Sequence, residues 1–150
     1  SNSPFKKYLI IILYIIVLNF LNCKINQKSM EPVLFDGQYV LVMKFKEYKR
    51  NDIIVFREKS SDIISVKYLF GLPGDRLGKS GQKFYNLSIK PDNYHYDYNV
   101  YEKVFVLNTN ENFVLGYNEH NSIDSRHFGT ILNDKILGKV VLRYYPFKIY

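Results

Sequence analysis

An apolar stretch near the N-terminus constrains this chain more than any other feature. Tyr8 to Leu21 reads YLIIILYIIVLNFL, and only Asn19 interrupts it. With Phe5 on one side and Cys23 and Ile25 on the other, it predicts a helix of about 18–20 residues, enough to cross the hydrocarbon of a bilayer. Lys6 and Lys7 precede the run, which places the N-terminus on the cytoplasmic side and the rest of the chain on the outer face. The chain then divides into an anchor, residues 1–25, and a domain, residues 26–150. A cleaved leader is the alternative, but the residues that follow are Phe20-Leu21-Asn22-Cys23, without a small-x-small site. A lipid on Cys23 is a third reading. The residue before such a cysteine is normally small, and here it is Asn22.

Past residue 26 the hydrophobic period is mostly two, which is the period of strands. Tyr39–Met43, Asp52–Phe56, Ile63–Phe70, Lys83–Ile89, Val104–Leu107, Asn112–Leu115 and Ile136–Arg143 read as strands. Asp36-Gly37 and Gly71-Leu72-Pro73-Gly74-Asp75 supply turns between them. The chain has no Ala, so the best helix former is missing. The prediction is a mainly β fold, with residues 78–112 as a small insertion or long hairpin. At 150 residues it is one domain, and 47% hydrophobic content excludes wholesale disorder.

A net charge of +7 invites a nucleic-acid reading. The basic residues are dispersed, however, and no recognised nucleic-acid motif is present. The charge suits an acidic lipid headgroup layer better. One cysteine excludes an internal disulfide and a cysteine-based zinc cluster, and His95, His120 and His127 are too scattered for a spacing-defined metal site. Neither metal nor cofactor is expected.

Two short blocks carry chemistry. Ser29-Met30-Glu31-Pro32 places a serine just past the apolar run. Lys67 stands inside the apolar strand IISVKYLF. A buried ammonium is costly unless paired or neutralised, and burial lowers the pKa of a lysine. A neutral amine can take the proton of a serine hydroxyl, so Ser29 and Lys67 form a nucleophile–base candidate. Equally, Lys67 could face solvent from an edge strand.

These blocks resemble the sequence boxes of type I signal peptidases. Ser29-Met30-Glu31-Pro32 is similar to their S-M-x-P nucleophile box. Arg50-Asn51-Asp52-Ile53-Ile54-Val55-Phe56 resembles their R-G-D-I-V-V-F strand. Val66-Lys67-Tyr68 with Gly71-Leu72-Pro73-Gly74-Asp75 resembles the box of the base lysine and its turn. Gly116-Tyr117-Asn118 with Asn121-Ser122-Ile123-Asp124-Ser125-Arg126 resembles the last box, G-D-N-x-x-N-S-x-D-S-R. All four occur in the family's order.

The resemblance implies a signal-peptidase-like antiparallel β domain behind one transmembrane helix, in the bacterial cytoplasmic membrane. It implies a serine endopeptidase that cuts exported preproteins after small-x-small sites. Ser29 would be the nucleophile and Lys67 the general base. Ser122 would hold the lysine amine, and Asp124 with Arg126 would form a structural ion pair. The Ser29 N–H and Gln27 would serve the oxyanion. Ile25, Met30, Leu34, Val40, Val55, Ile64 and Val66 would wall the shallow apolar substrate pockets, or simply be core.

Several residues depart from the pattern. Tyr68 and Tyr117 replace an oppositely charged pair, a coherent exchange that leaves no buried charge unpaired. Gln27 stands where Ser or Gly is usual, Asn51 replaces a Gly and Val33 a Thr, and Lys28 precedes the nucleophile. The short middle segment resembles that of compact members. A dedicated maturation peptidase, or a binding module of the same fold that has lost turnover, are the alternatives.

Overall fold

The computed structural model describes residues 3–18, 20–59, 61, 63–90 and 95–150, with backbone alone at 15–18. The apolar run opens as α1 (Pro4–Leu18). Asn19, expected to interrupt that run, lies outside the described residues. At 15 residues α1 is about 22 Å long, against a hydrocarbon thickness of about 30 Å. Among the described residues no helix is long and apolar enough to cross a membrane. The expected continuous helix through Leu21 is therefore corrected. Phe20–Lys24 is a strand, β1, because it completes a ladder along Tyr39–Met43 (β2), from Phe20 opposite Met43 to Lys24 opposite Tyr39. Tertiary pairing outweighs the continuity of the apolar run.

The remaining elements are β3 (Ile53–Arg57), β4 (Ile64–Gly71), β5 (Arg76–Ser80), β6 (Lys83–Asn86), β7 (Lys103–Val106), β8 (Glu111–Leu115), the single turn α2 (Ser125–Phe128), β9 (Ile131–Leu132), β10 (Ile136–Arg143) and β11 (Lys148–Ile149). The larger sheet is ordered β1-β2-β10-β3-β4-β8-β9, with β11 on β10. Every pairing in it is antiparallel. A smaller sheet, β6-β5-β7, occupies much of the expected 78–112 insertion; residues 91–94 of that segment lie outside the described residues.

The β-branched and aromatic content of β3 explains its place at the centre, where Ile53 to Phe56 are all buried. In β4 the alternation is regular: Ser65, Lys67, Leu69 and Gly71 face inward. One core cluster joins Ile25, Met30, Leu34, Val40, Val42, Ile53, Val55 and Val140. A second joins Ile54, Phe56, Leu69, Val114, Ile131 and Ile136 on other faces of β3, β4 and β8. Clamped between these clusters, β3 and β4 give the site a rigid floor.

Candidate active site

Lys67 is placed by register. It lies opposite Ile54 in the β3–β4 ladder and points to the buried face, with 2% of its surface exposed. The edge-strand reading is thereby excluded, since β4 is flanked by β3 and β8. Ser29 sits on the turn after β1. Met30 and Leu34 plug that turn into the core, and the Met30 carbonyl accepts from the N–H groups of Val33 and Leu34. From the other side the Asn118 N–H donates to the Ser29 carbonyl at 2.9 Å, and Asn118 Nδ2 to the Lys28 carbonyl at 3.2 Å. Held from both sides, Ser29 Oγ stands 2.7 Å from Lys67 Nζ.

Burial pulls the Lys67 amine below the ordinary lysine value, while the negative charges of Asp124 and Glu58 push it back up. Desolvation wins, so the amine gives up its proton more readily than an ordinary lysine does. Nζ also donates to Gln27 Oε1 at 3.3 Å. The Gln27 side-chain carbonyl is thus turned to the Lys67 amine.

The expected bond from Ser122 to the lysine is corrected. Among the described residues Ser122 Oγ donates to Asp124 Oδ2 at 2.8 Å. A carboxylate that already gathers donors is the stronger acceptor. Asp124 is fully buried and also accepts from the Gly116 N–H at 3.0 Å and from Arg126 Nε and Nη2, each at 2.8 Å. Burial alone would raise its carboxyl, but Arg126, Gly116 and Ser122 together hold it below the usual carboxylate range. It also caps α2, accepting from the Arg126 N–H while His127 Nδ1 accepts from the Asp124 N–H. The expected Asp124–Arg126 pair is therefore present and bidentate. Gly116 lets this cluster meet the Ser29 turn: a β-carbon there would lie 2.6 Å from the Ser29 carbonyl oxygen and against Ser122 Oγ.

The departures find physical partners. Tyr68 and Tyr117 stack, with ring centroids 4.3 Å apart and 23° between planes. Burial, and next the neighbouring Tyr117, push the Tyr68 phenol up to about 12. Asn51 has φ 68°, the left-handed region that Asn tolerates best after Gly. Next to it Arg50 grips Asp75 with two hydrogen bonds, and Asp75 also accepts from the Leu72 N–H and from Asn86 Nδ2. That tie fixes the turn at the end of β4, and hence the strand that carries Lys67.

Two cavities meet at Ser29 and Gln27. An apolar one of about 250 Å³ is walled by Ile25, Met30, Val55, Ile64 and Val66. Leu34 and Val40, expected among these walls, instead lie wholly inside the core behind them. The other, about 680 Å³, opens above Lys67 and includes Lys28, Glu58, Ser122, Ile123, His120 and His127. Glu58 and the two histidines were not anticipated as site residues. Only the spacing of Asp124 and His127, a helix-capping pattern, hinted at one of them. Among the described residues no group of three or more His, Cys, Asp or Glu side chains is placed to hold a metal ion.

A family model for signal peptidases (peptidase S26) matches residues 5–145. The chain is 34% identical to signal peptidase I of Bacillus caldolyticus over 149 aligned residues, covering 86% of this chain and 81% of the relative. It is 32% identical to signal peptidase IB of Staphylococcus aureus over 147 aligned residues, covering 82% and 76%. A solved structure of a signal peptidase I from Enterococcus faecalis is similar at 26% identity and a TM-score of 0.47, covering 65% of this chain and 99% of that one.

Proposed function

The chain belongs to the signal peptidase family, peptidase S26, and from that premise we propose that it is a serine endopeptidase removing signal peptides from exported preproteins. Ser29 is the nucleophile and Lys67 the general base. The observation that carries this reading is the 2.7 Å contact between Ser29 Oγ and an amine 2% exposed.

In the first step neutral Lys67 takes the Ser29 proton as Oγ bonds to the scissile carbonyl carbon. The negative charge that develops on the carbonyl oxygen is met by the Ser29 N–H. The lysine then returns its proton to the leaving amine as the C–N bond breaks, leaving an acyl-enzyme. In the second step a water gives its proton to Lys67 and attacks the ester, and Ser29 Oγ leaves with a proton from the lysine. Gln27 serves the base, through its carbonyl group, more than it serves the oxyanion. The cavity walled by Ile25, Met30, Val55, Ile64 and Val66 suits apolar side chains on the signal side, and cleavage after small-x-small sites is part of the same proposal.

Anchoring at the bilayer, with residues 26–150 on the outer face, belongs to the same proposal. It is supported by the exposed apolar side chains of α1, among them Phe5, Ile10, Ile12 and Tyr14. The test is cleavage of a preprotein carrying an Ala-x-Ala site in detergent micelles. Wild type is expected to cut after that site, with Ser29→Ala and Lys67→Met inert. Cleavage that survives either substitution in a folded protein defeats the reading.

A further inference from the structure

The wide cleft above the dyad contains an acidic side chain that the chemistry so far leaves unused. Glu58 follows β3, its N–H donating to the Ile63 carbonyl where the chain returns toward β4. It is half-buried and lines the cleft together with Ser29 and Lys67. Its orientation is held: Ser65 Oγ, on a residue 1% exposed, donates to Glu58 Oε1 at 2.5 Å. Ser65 and Lys67 are two apart on the same inward face of β4, about 7 Å along the strand. The carboxylate is thus held at Ser65, on the wall of the cleft that Lys67 also lines.

The other charged or titratable groups at this cleft are Lys28 on the nucleophile turn, His120 and His127 on the opposite wall, and buried Asp124 behind Ser122. Asp124 is committed to Gly116, Ser122 and Arg126 and caps α2, so its charge cannot be altered without disturbing the fold. Glu58 carries less: its side chain accepts from Ser65, a bond that a glutamine there would keep. Of the two anions that offset the burial of the lysine, it is the adjustable one.

We propose that Glu58 is a positioning residue acting through Lys67: its carboxylate, held by Ser65, opposes the desolvation of the amine and sets the pH at which that amine is free to take the Ser29 proton. This rests on the reading of Ser29 and Lys67 as the reacting pair. The sign is fixed by electrostatics. Removing the negative charge makes protonated Lys67 less favourable, so the neutral base persists to lower pH.

The test is the pH profile of kcat/KM on an Ala-x-Ala preprotein in micelles, for the full chain and for Glu58→Gln. The glutamine oxygen still accepts from Ser65, so only the charge is removed. With that charge gone, the acid limb is expected to move down by about half a unit to one unit, the size of effect that one nearby partly screened charge produces. Sodium chloride provides a second reading that needs no variant. At about 1 M salt the Debye length is about 3 Å, so the wild-type limb should drift toward that of Glu58→Gln, and the variant should respond less. An unmoved limb, or a uniform loss of rate at every pH with the midpoint unchanged, overturns the assignment. Should Glu58→Gln fold poorly, Glu58→Ala removes the same charge and takes its place, and an unmoved limb in that variant overturns the assignment. Failure of the underlying reading looks different, because wild type would then fail to cut or Lys67→Met would still do so.

Discussion

Gly116→Ala is the most incisive perturbation of this site, because it adds a single methyl group and removes nothing. Gly116 does not adopt the left-handed backbone, so alanine brings no torsional penalty. The cost is steric. The new β-carbon would stand 2.6 Å from the Ser29 carbonyl oxygen, where ordinary contact begins at 3.4 Å. The nucleophile turn and the end of β8 must therefore separate by about 0.8 Å. Ser122 Oγ, in the way of the same methyl, must also give up its place against Asp124. Overpacking of this kind costs about 1–3 kcal/mol of stability. The catalytic effect is larger, since displacing a reacting group by about 1 Å costs about 100-fold in rate. Two measurements check this: kcat/KM on the Ala-x-Ala preprotein, and the urea midpoint of the same sample. The expected result is a loss of about 100-fold, mostly in kcat, in a protein that remains folded. Activity within about threefold of wild type would show that the turn yields without moving Ser29, and would refute the claim that Gly116 sets the site's geometry.

Lys67→Met should be more stable than wild type at neutral pH, since it removes a buried amine and keeps its volume. Because the folded value of Lys67 is lowered, the unfolded chain binds the proton more readily. Wild-type stability therefore falls as pH drops from the ordinary lysine value to the lowered one, and is flat below it. The gap between variant and wild type should widen across that window, and urea midpoints from pH 6 to 10.5 would show a constant gap if the lysine carried no such burden. For the stacked rings, a double-mutant cycle of Tyr68→Ala and Tyr117→Ala should return a coupling of about 0.5–1.5 kcal/mol; additive losses would mean that the contact is incidental. At Asn51, with φ 68°, alanine should cost about 1 kcal/mol and glycine nearly nothing. Equal midpoints for the two variants would contradict the backbone argument.

How much was legible beforehand depended on whether information was local. Strands β2 and β10 were read to the residue, because an alternating or continuously apolar run bounded by turns leaves little choice. β1 was missed because FLNCK reads as the tail of an apolar helix, and only the facing edge of β2 makes it a strand. β5 was missed because RLGKS has no alternation. Its Gly78 is required by the Tyr101 ring, 2.7 Å from where a β-carbon would be, a fact of tertiary packing. Among site residues, Ser29 and Lys67 were found by chemistry and box order, and the structure brings them within hydrogen-bonding distance. Ser122 lines the cleft with Lys67 but donates to Asp124, whose pull emerges only when its donors are counted. Glu58 carries no local signature, because one more acid after a strand is ordinary until the fold sets it on Ser65 at the wall of the same cleft.

The strand between the helix and the nucleophile has a mechanical consequence. Five residues of β1 span only about 13 Å, and their ladder with β2 prevents them from lengthening or coiling. Ser29 is therefore mounted at a fixed standoff from Phe20, where β1 begins, like a blade bolted to a post. If α1 sits in lipid, cutting height above the bilayer is built into the scaffold, and a scissile bond reaches the serine only when its own helix delivers it to that level. Selection by depth would then operate alongside selection by side-chain size, with no residue dedicated to measuring it.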